Sequence, residues 1–282
     1  MSRSLEPTTT DAVVHPKNQL NELTGREWIQ ATKSVVMQRG LGKDHPEAEI
    51  ERQHPAPFSF TDVSRLILFF TKSGERVLDP FCGVASTLKA AAVTGREGVG
   101  IELSRQWLQL GRMRLAMEVA DGSKQEVLSG DARDVLPTLA DESFDFIVTS
   151  PPYWAILNKK ADHKVKAERL SNGLATNYSE DARDLANIAD YEQFLVELTG
   201  LFAECRRVLR PSRYMCVVVS DFRHGSAFIP YHADLMNRLT EDGWRLKSIN
   251  VLVQNQKRLY PYGYPYAFVP NIHHQYILVL QK

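Results

Sequence analysis

Two short stretches of this chain hold residue types that could do chemistry together. Thr149-Ser150-Pro151-Pro152-Tyr153-Trp154 follows an apolar run, and its paired prolines remove two backbone donors and fix two φ angles. What is left is a stiff loop with carbonyl acceptors, one hydroxyl and two aromatic faces. That set suits a planar group bearing an exocyclic NH2, gripped by hydrogen bonds and stacking. The other stretch is Asp79-Pro80-Phe81-Cys82-Gly83. Its glycine lets backbone approach a ligand, and the helix that follows offers N–H groups to anionic atoms. A tight strand-to-helix turn is its plain structural reading. Glu102 closes a second apolar run, where an acidic side chain accepts hydrogen bonds from ribose hydroxyls. It could equally charge the start of a helix ahead of Ser104. Asp131, in Ser129-Gly130-Asp131, suits an adenine amino group or the cap of the next helix.

The elements around these residues alternate. Arg76–Asp79, Val99–Glu102, Val127–Gly130 and Phe144–Thr149 read as short buried strands, and helical patterns separate them. That alternation predicts an α/β fold: a doubly wound, mostly parallel, Rossmann-like sheet with its ligand beyond the carboxyl ends of the strands. A helix over 191–209, the apolar strand Tyr214–Ser220 and a helix near 230–242 continue the pattern. Two late strands, near 245–254 and 275–280, lack a helix between them and predict an antiparallel pair. Thr24-Gly-Arg-Glu27 fits a capping box at a helix start. The layout is an N-terminal extension (1–50) and one domain (51–282) carrying a polar insertion at about 155–190.

The chain has 282 residues, with 34 basic and 34 acidic side chains. Zero net charge excludes strong bulk attraction to DNA or to an acidic membrane, though not a local basic patch. No apolar run reaches the roughly 20 residues of a membrane span, and the N-terminus lacks a signal-peptide core. Three cysteines without C-x-x-C spacing support neither a disulfide framework nor a cysteine-rich zinc site, and His273-His274 has no evident partner ligands. The expectation is a cytoplasmic protein with no metal.

Taken together, the motifs resemble those of the amino-directed DNA methyltransferases that use S-adenosylmethionine. Asp79-Pro-Phe-Cys-Gly83 is similar to that family's cofactor motif, D-P-F-x-G, and Ser150-Pro-Pro-Tyr153 to its catalytic motif. His54-Pro-Ala-Pro-Phe58 resembles the motif that closes over the methionine end of the cofactor. The resemblance spans about residues 50–282 and implies a methyltransferase sheet. It places Asp79, Phe81 and Gly83 in the cofactor pocket, Glu102 on the ribose, Asp131 on the adenine amino group, and Pro55, Pro57 and Phe58 on the methionine side. One position departs from the pattern: the family has a second glycine where this chain has Ala85, whose β-carbon would narrow the cofactor's approach.

By that resemblance Ser150, Pro151, Pro152 and Tyr153 form the catalytic loop. The Ser150 hydroxyl and Pro151 carbonyl would hold both amino hydrogens, while Tyr153 and Trp154 would stack on a base flipped out of double-stranded DNA. Lys159, Lys160, Lys164, Lys166 and Arg169, in the insertion, and Lys257 and Arg258 are the expected DNA contacts. Arg206, Arg207, Arg210 and Arg213 read equally as a DNA-contacting group or a solvated face. Tyr260-Pro-Tyr-Gly-Tyr-Pro-Tyr266 reads as a packed aromatic hairpin, with the rim of a base pocket as its alternative. Serine at the first position of the catalytic motif points to cytosine N4. Adenine N6, an RNA substrate and a non-catalytic cofactor- or nucleic-acid-binding protein follow in that order. Carbon-5 chemistry is excluded because the catalytic loop has no thiol nucleophile. The resemblance leaves room for a restriction endonuclease partner and for a homodimer.

Overall fold

The fold is a computed structural model that describes residues 13–38, 50, 53–54, 59–120, 122, 124–154, 181–255 and 257–282. Among them an eight-stranded sheet forms the centre. Its strands are β1 (Val35–Met37), β2 (Arg76–Asp79), β3 (Glu97–Glu102), β4 (Gln125–Ser129), β5 (Phe144–Thr149), β6 (Leu209–Val219), β9 (Arg245–Val253) and β10 (His274–Gln281). A separate hairpin pairs β7 (Phe222–His224) with β8 (Ala227–Ile229). Across the sheet the order is β1-β9-β10-β6-β5-β2-β3-β4. Strands β6, β5, β2, β3 and β4 run parallel, whereas β10 is antiparallel to both β6 and β9. The chain builds outward from β2 through β3 to β4, then returns to place β5 on the other side of β2. Such a reversal opens a crevice at the carboxyl ends of the two strands beside it.

Helices cover both faces: α1 (Gly25–Ala31), α2 (Phe60–Phe70), α3 (Ser86–Val93), α4 (Arg105–Glu118), α5 (Ala132–Val135), α6 (Tyr191–Val208) and α7 (Tyr231–Glu241). Strand side chains alternate between two cores, as period-2 geometry demands. Met215, Val217 and Val219 of β6 join Phe194, Leu198 and Phe202 of α6 on one face. Cys216 and Val218 join Val63, Ile67 and Phe70 of α2 on the other. Every residue of β5 is buried, which explains its continuous apolar run. The register shift between Phe144 and Phe146 breaks strict alternation only at its start.

The late strands pair as the sequence predicts, and Thr24 and Glu27 form the expected capping box. The extension, however, is woven into the domain. β1 pairs in parallel with β9, the buried Asn21 side chain donates to the Phe69 carbonyl at 2.6 Å, and Trp28 packs on Phe69. A three-residue edge strand carries no alternation long enough to be read from sequence.

The arginine group also resolves. Arg207 pairs with Asp141 and Glu204, Arg210 with Asp145, and Arg213 with Glu75 and Asp145. Asp145 lies at the start of β5 and Glu75 precedes β2, so Arg207, Arg210 and Arg213 serve as cross-links at the end of the sheet opposite the crevice. No helix among the described residues is long and apolar enough to cross a membrane.

Candidate active site

The two motifs follow the two strands beside the reversal, and they meet in one cleft. Its lining takes Asp79, Phe81 and Gly83 from the turn after β2, Glu102 from the end of β3, Asp131 from the end of β4, and Ser150 and Pro152 from the loop after β5. Four strand ends separated by many residues thus converge where the topology leaves a gap. Pro151 is buried beneath the loop and does not line the cleft.

Asp79 sits at the hinge of the arrangement. Its Oδ1 accepts from the Phe81 backbone N–H at 3.0 Å and from the Thr149 hydroxyl at 2.6 Å. Its Oδ2 accepts from the Thr87 hydroxyl at 2.5 Å. One carboxylate therefore braces the turn after β2, the first turn of α3 and the end of β5. Burial pushes its pKa up to about 6 despite these three donors.

Glu102 is braced in the same way. It accepts from the Gly83 N–H at 2.9 Å and the Ser104 N–H at 2.7 Å, the second of which matches the helix-start reading. Each oxygen keeps lone-pair capacity toward the cleft. Burial raises Glu102 to about 7, with Asp184 and Asp79 adding to the rise. Asp131 caps α5 through the Arg133 N–H at 2.9 Å, and the Arg133 guanidinium grips both its oxygens. It too remains on the cleft wall. Asp79, Glu102, Asp131 and Asp184 stand in the lining beside Arg183 and supply acceptors that suit hydroxyls and an amine.

The backbone of the turn explains two residues. Gly83 has φ +50, and a β-carbon there would come within 3.3 Å of the His54 ring, which also lines the cleft. Ala85 has φ +60 and ψ 32, left-handed values that usually select glycine. Its methyl nevertheless points away from the ligand: a β-carbon on Gly111 of α4 would meet it at 3.2 Å, and Ala85 is absent from the cleft lining. The departure at Ala85 therefore costs backbone strain and leaves the approach of a ligand unobstructed. Beneath the turn, buried Arg114 donates to the Val84 carbonyl and the Ser86 hydroxyl and is neutralised by Glu118.

The catalytic-type loop differs from the sequence reading in how its aromatic residues lie. Tyr153 is 8% exposed, edge-on to Phe222 and Tyr231. Trp154 is 9% exposed, donates its indole N–H to the Ile188 carbonyl at 2.9 Å and packs on His224 and Tyr191. Both rings serve the core here, because α6 and α7 present aromatic partners directly behind the loop. What Tyr153 offers instead is its oxygen, reached by the Gln275 side chain at 3.3 Å, by the Ser150 hydroxyl and by the Ser220 backbone. Burial holds this phenol protonated, with its pKa pushed up to about 12.

Sequence reading missed several wall residues, among them Leu103, Trp107, Arg183, Asp184 and Leu185. Trp107, in the first turn of α4, meets His54 edge-on at 5.0 Å, and its place just past Glu102 was the available signal. Asp184 and Leu185 come from the far end of the polar insertion, where composition gave no hint of them. Pro55, Pro57 and Phe58, and the cations Lys159, Lys160, Lys164, Lys166 and Arg169, lie outside the described residues. Lys257 and Arg258 are exposed, the latter with its guanidinium 5.5 Å from the Tyr260 ring centre. The loop they introduce is no packed hairpin: Tyr264, Tyr266 and Phe268 are 81%, 93% and 90% exposed.

A family model described as DNA methylase, covering N6 and N4 enzymes, matches residues 6–112 and 144–282. The type II methyltransferase M2.DpnII of Streptococcus pneumoniae is 36% identical over 66 residues, 23% of this chain and 25% of that protein. The tRNA (guanine(10)-N2)-dimethyltransferase of Methanothermobacter thermautotrophicus is 38% identical over 82 residues, 29% of this chain and 23% of that one. The chain spans about a quarter of the length of the curated relatives it matches. Among solved structures, a SAM-dependent methyltransferase from Archaeoglobus fulgidus aligns with 79% of this chain and 92% of its own, at 15% identity and a TM-score of 0.47.

Proposed function

We propose that this chain, which belongs to the DNA methylase family, transfers a methyl group from S-adenosylmethionine to the exocyclic N4 amine of a cytosine extruded from DNA. The observation that carries this reading is the meeting of Ser150 and Pro152 with Gly83, Glu102 and Asp131 in one cleft. A methyl donor on one side of that wall and an amine on the other would lie within reach of each other.

The residues fit the family's cofactor. Glu102 would accept from the ribose hydroxyls with the lone pairs that Gly83 and Ser104 leave free, and Asp131 from the adenine amino group. Ile101, Leu103 and Leu185 supply apolar walls for a planar ring. When bound, S-adenosylmethionine supplies a methyl group already activated on a positively charged sulfur.

The rest is positioning by the chain. An exocyclic amine is a weak nucleophile because its lone pair is delocalised into the ring. Ser150 would correct this: its hydroxyl oxygen, on the cleft wall, would accept from one N–H of the amine. The second acceptor would be a main-chain carbonyl of the same loop, which two prolines stiffen. Gripping both hydrogens favours a tetrahedral nitrogen whose lone pair points at the methyl. Alignment of this kind supplies much of the rate gain in group transfer. Extruding the base costs a few kcal/mol, which Lys257, Arg258 and the basic insertion would offset through phosphate contacts.

The deciding experiment is nucleoside mass spectrometry on mixed-sequence DNA incubated with protein and S-adenosylmethionine. N4-methylcytosine is the expected product. N6-methyladenine would keep the mechanism and overturn the base assignment. Methylation of RNA alone, the substrate class of the dimethyltransferase relative, would overturn the DNA assignment.

Glu102 also predicts a pH profile. Ribose hydroxyls donate, so the ionised carboxylate is the binding form, and its pKa near 7 in the free protein makes that form scarce under acid conditions. Cofactor affinity is expected to rise about tenfold from pH 6 to pH 8, following the ionised fraction. Isothermal titration calorimetry across this range checks it, and a flat profile removes Glu102 from the ribose.

A further inference from the structure

We infer that the loop between β9 and β10 is a base-stacking platform for unpaired nucleotides of the substrate strand. This deepens the DNA reading above and rests on it. Tyr264, Tyr266 and Phe268 project their rings into solvent, and Leu259 is 64% exposed beside them. Large aromatic side chains are seldom left this open without a partner, and one loop carrying three of them is a surface with a use.

The loop is built rather than loose. The Asn271 side chain both accepts from the Tyr260 N–H at 2.9 Å and donates to the Tyr260 carbonyl at 2.8 Å, closing the loop's base. Gly263, at φ +74, takes backbone hydrogen bonds from Tyr266 and Ala267 at 2.7 Å each. A β-carbon at Gly263 would meet the Ala267 carbonyl at 2.2 Å, so this tight turn requires glycine. The rings are thus carried on a fixed frame.

Position and charge identify the occupant. The loop's exit strand begins beside the catalytic-type loop: Gln275 donates to the Tyr153 hydroxyl, and Ser220 bonds the His274 carbonyl at 3.0 Å. Exposed Lys257 and Arg258 open the loop, and no Asp or Glu occurs from residue 243 to 282. Cations and open aromatic faces without acidic neighbours match a strand with phosphates on one side and bases on the other. A duplex conceals its base faces. Only unpaired bases, next to the target or along a single strand, present faces that these rings can stack on.

The test is fluorescence anisotropy with the full chain, using a labelled single-stranded DNA and the same sequence fully paired. Changing Tyr264, Tyr266 and Phe268 together to Ser should weaken single-strand binding about 100-fold, as the loss of several base stacks implies. Duplex binding should change less than threefold. Tyr264→Phe with Tyr266→Phe should retain single-strand affinity, because stacking needs the ring and not the hydroxyl. Calorimetric cofactor affinity equal to that of the unaltered chain shows that the triple variant is folded. Equal losses for both DNAs, or no loss for either, overturn the platform. Methyl transfer to DNA with unaltered single-strand binding in the variant defeats this inference alone. Ring-dependent binding without methyl transfer defeats the proposed activity alone.

Discussion

Replacing Ser150 by alanine should lower methyl transfer by at least about 100-fold while leaving cofactor affinity within about twofold. The size follows from what the hydroxyl does. Loss of one preorganised hydrogen-bonding group in a reacting site commonly costs 10²–10³ in turnover, roughly 2.7–4 kcal/mol of barrier. The separation of the two readouts follows from geometry: Ser150 enters the cleft from the β5 side, while the Gly83, Glu102 and Asp131 wall remains intact. Alanine removes the acceptor for one amino hydrogen and also the group that reaches the Tyr153 oxygen, which still has Gln275 as a donor. The loop should hold its shape, since prolines and the buried Tyr153 ring fix it. Single-turnover transfer and calorimetric cofactor binding, measured on the same preparation, check both halves. A fall in cofactor affinity equal to the fall in rate would mean that Ser150 belongs to the cofactor wall instead.

The parts of this site legible from sequence are those set at strand ends. Asp79, Glu102, Asp131 and Ser150 each follow a short apolar run, and a parallel sheet gathers such positions at one edge. Their partners were not legible. Thr149 lies 70 residues from Asp79 and Thr87 lies 8 away, and neither threonine differs in sequence from one that merely packs. Tyr153 looked like an open stacking face because the two helices behind it, α6 and α7, show their aromatic sides only once folded. Ala85 looked like an obstruction because a residue type says nothing of where its β-carbon points. The exposed loop misled in the opposite sense. Four tyrosines with interleaved prolines and a glycine suggest mutual packing, yet the rings of Tyr264 and Tyr266 face outward past the turn at Gly263, with Phe268 beyond them.

Asp79 yields the second large effect, and its two substitutions separate bracing from charge. Asp79→Ala deletes the acceptor of the Phe81 N–H and of two threonine hydroxyls in a fully buried place. Stranding buried donors costs roughly 1–3 kcal/mol each. Part of that is offset, because the ionised carboxylate is itself disfavoured there: burial raises its pKa to about 6 from 3.8. Between these pH values the folded protein keeps a proton that the unfolded chain has released, so this group's contribution to stability falls as pH rises from about 4 to 6 and is flat above. Asp79→Asn removes the titration and preserves the brace. Its Oδ1 accepts from Phe81 and Thr149, and its amide donates to the Thr87 oxygen. At pH 7.5 the order of melting temperatures should therefore be Asn equal to or above the unaltered chain, with Ala several degrees below both. The alanine deficit should be larger at pH 5, where the unaltered carboxyl is protonated and carries no desolvation penalty. Cofactor affinity should fall at least tenfold in Asp79→Ala, because the Phe81–Gly83 turn loses its tie to β5, and stay within about threefold in Asp79→Asn. Equal loss of affinity in both variants would show that the charge of Asp79 touches the cofactor directly, and the brace would be secondary.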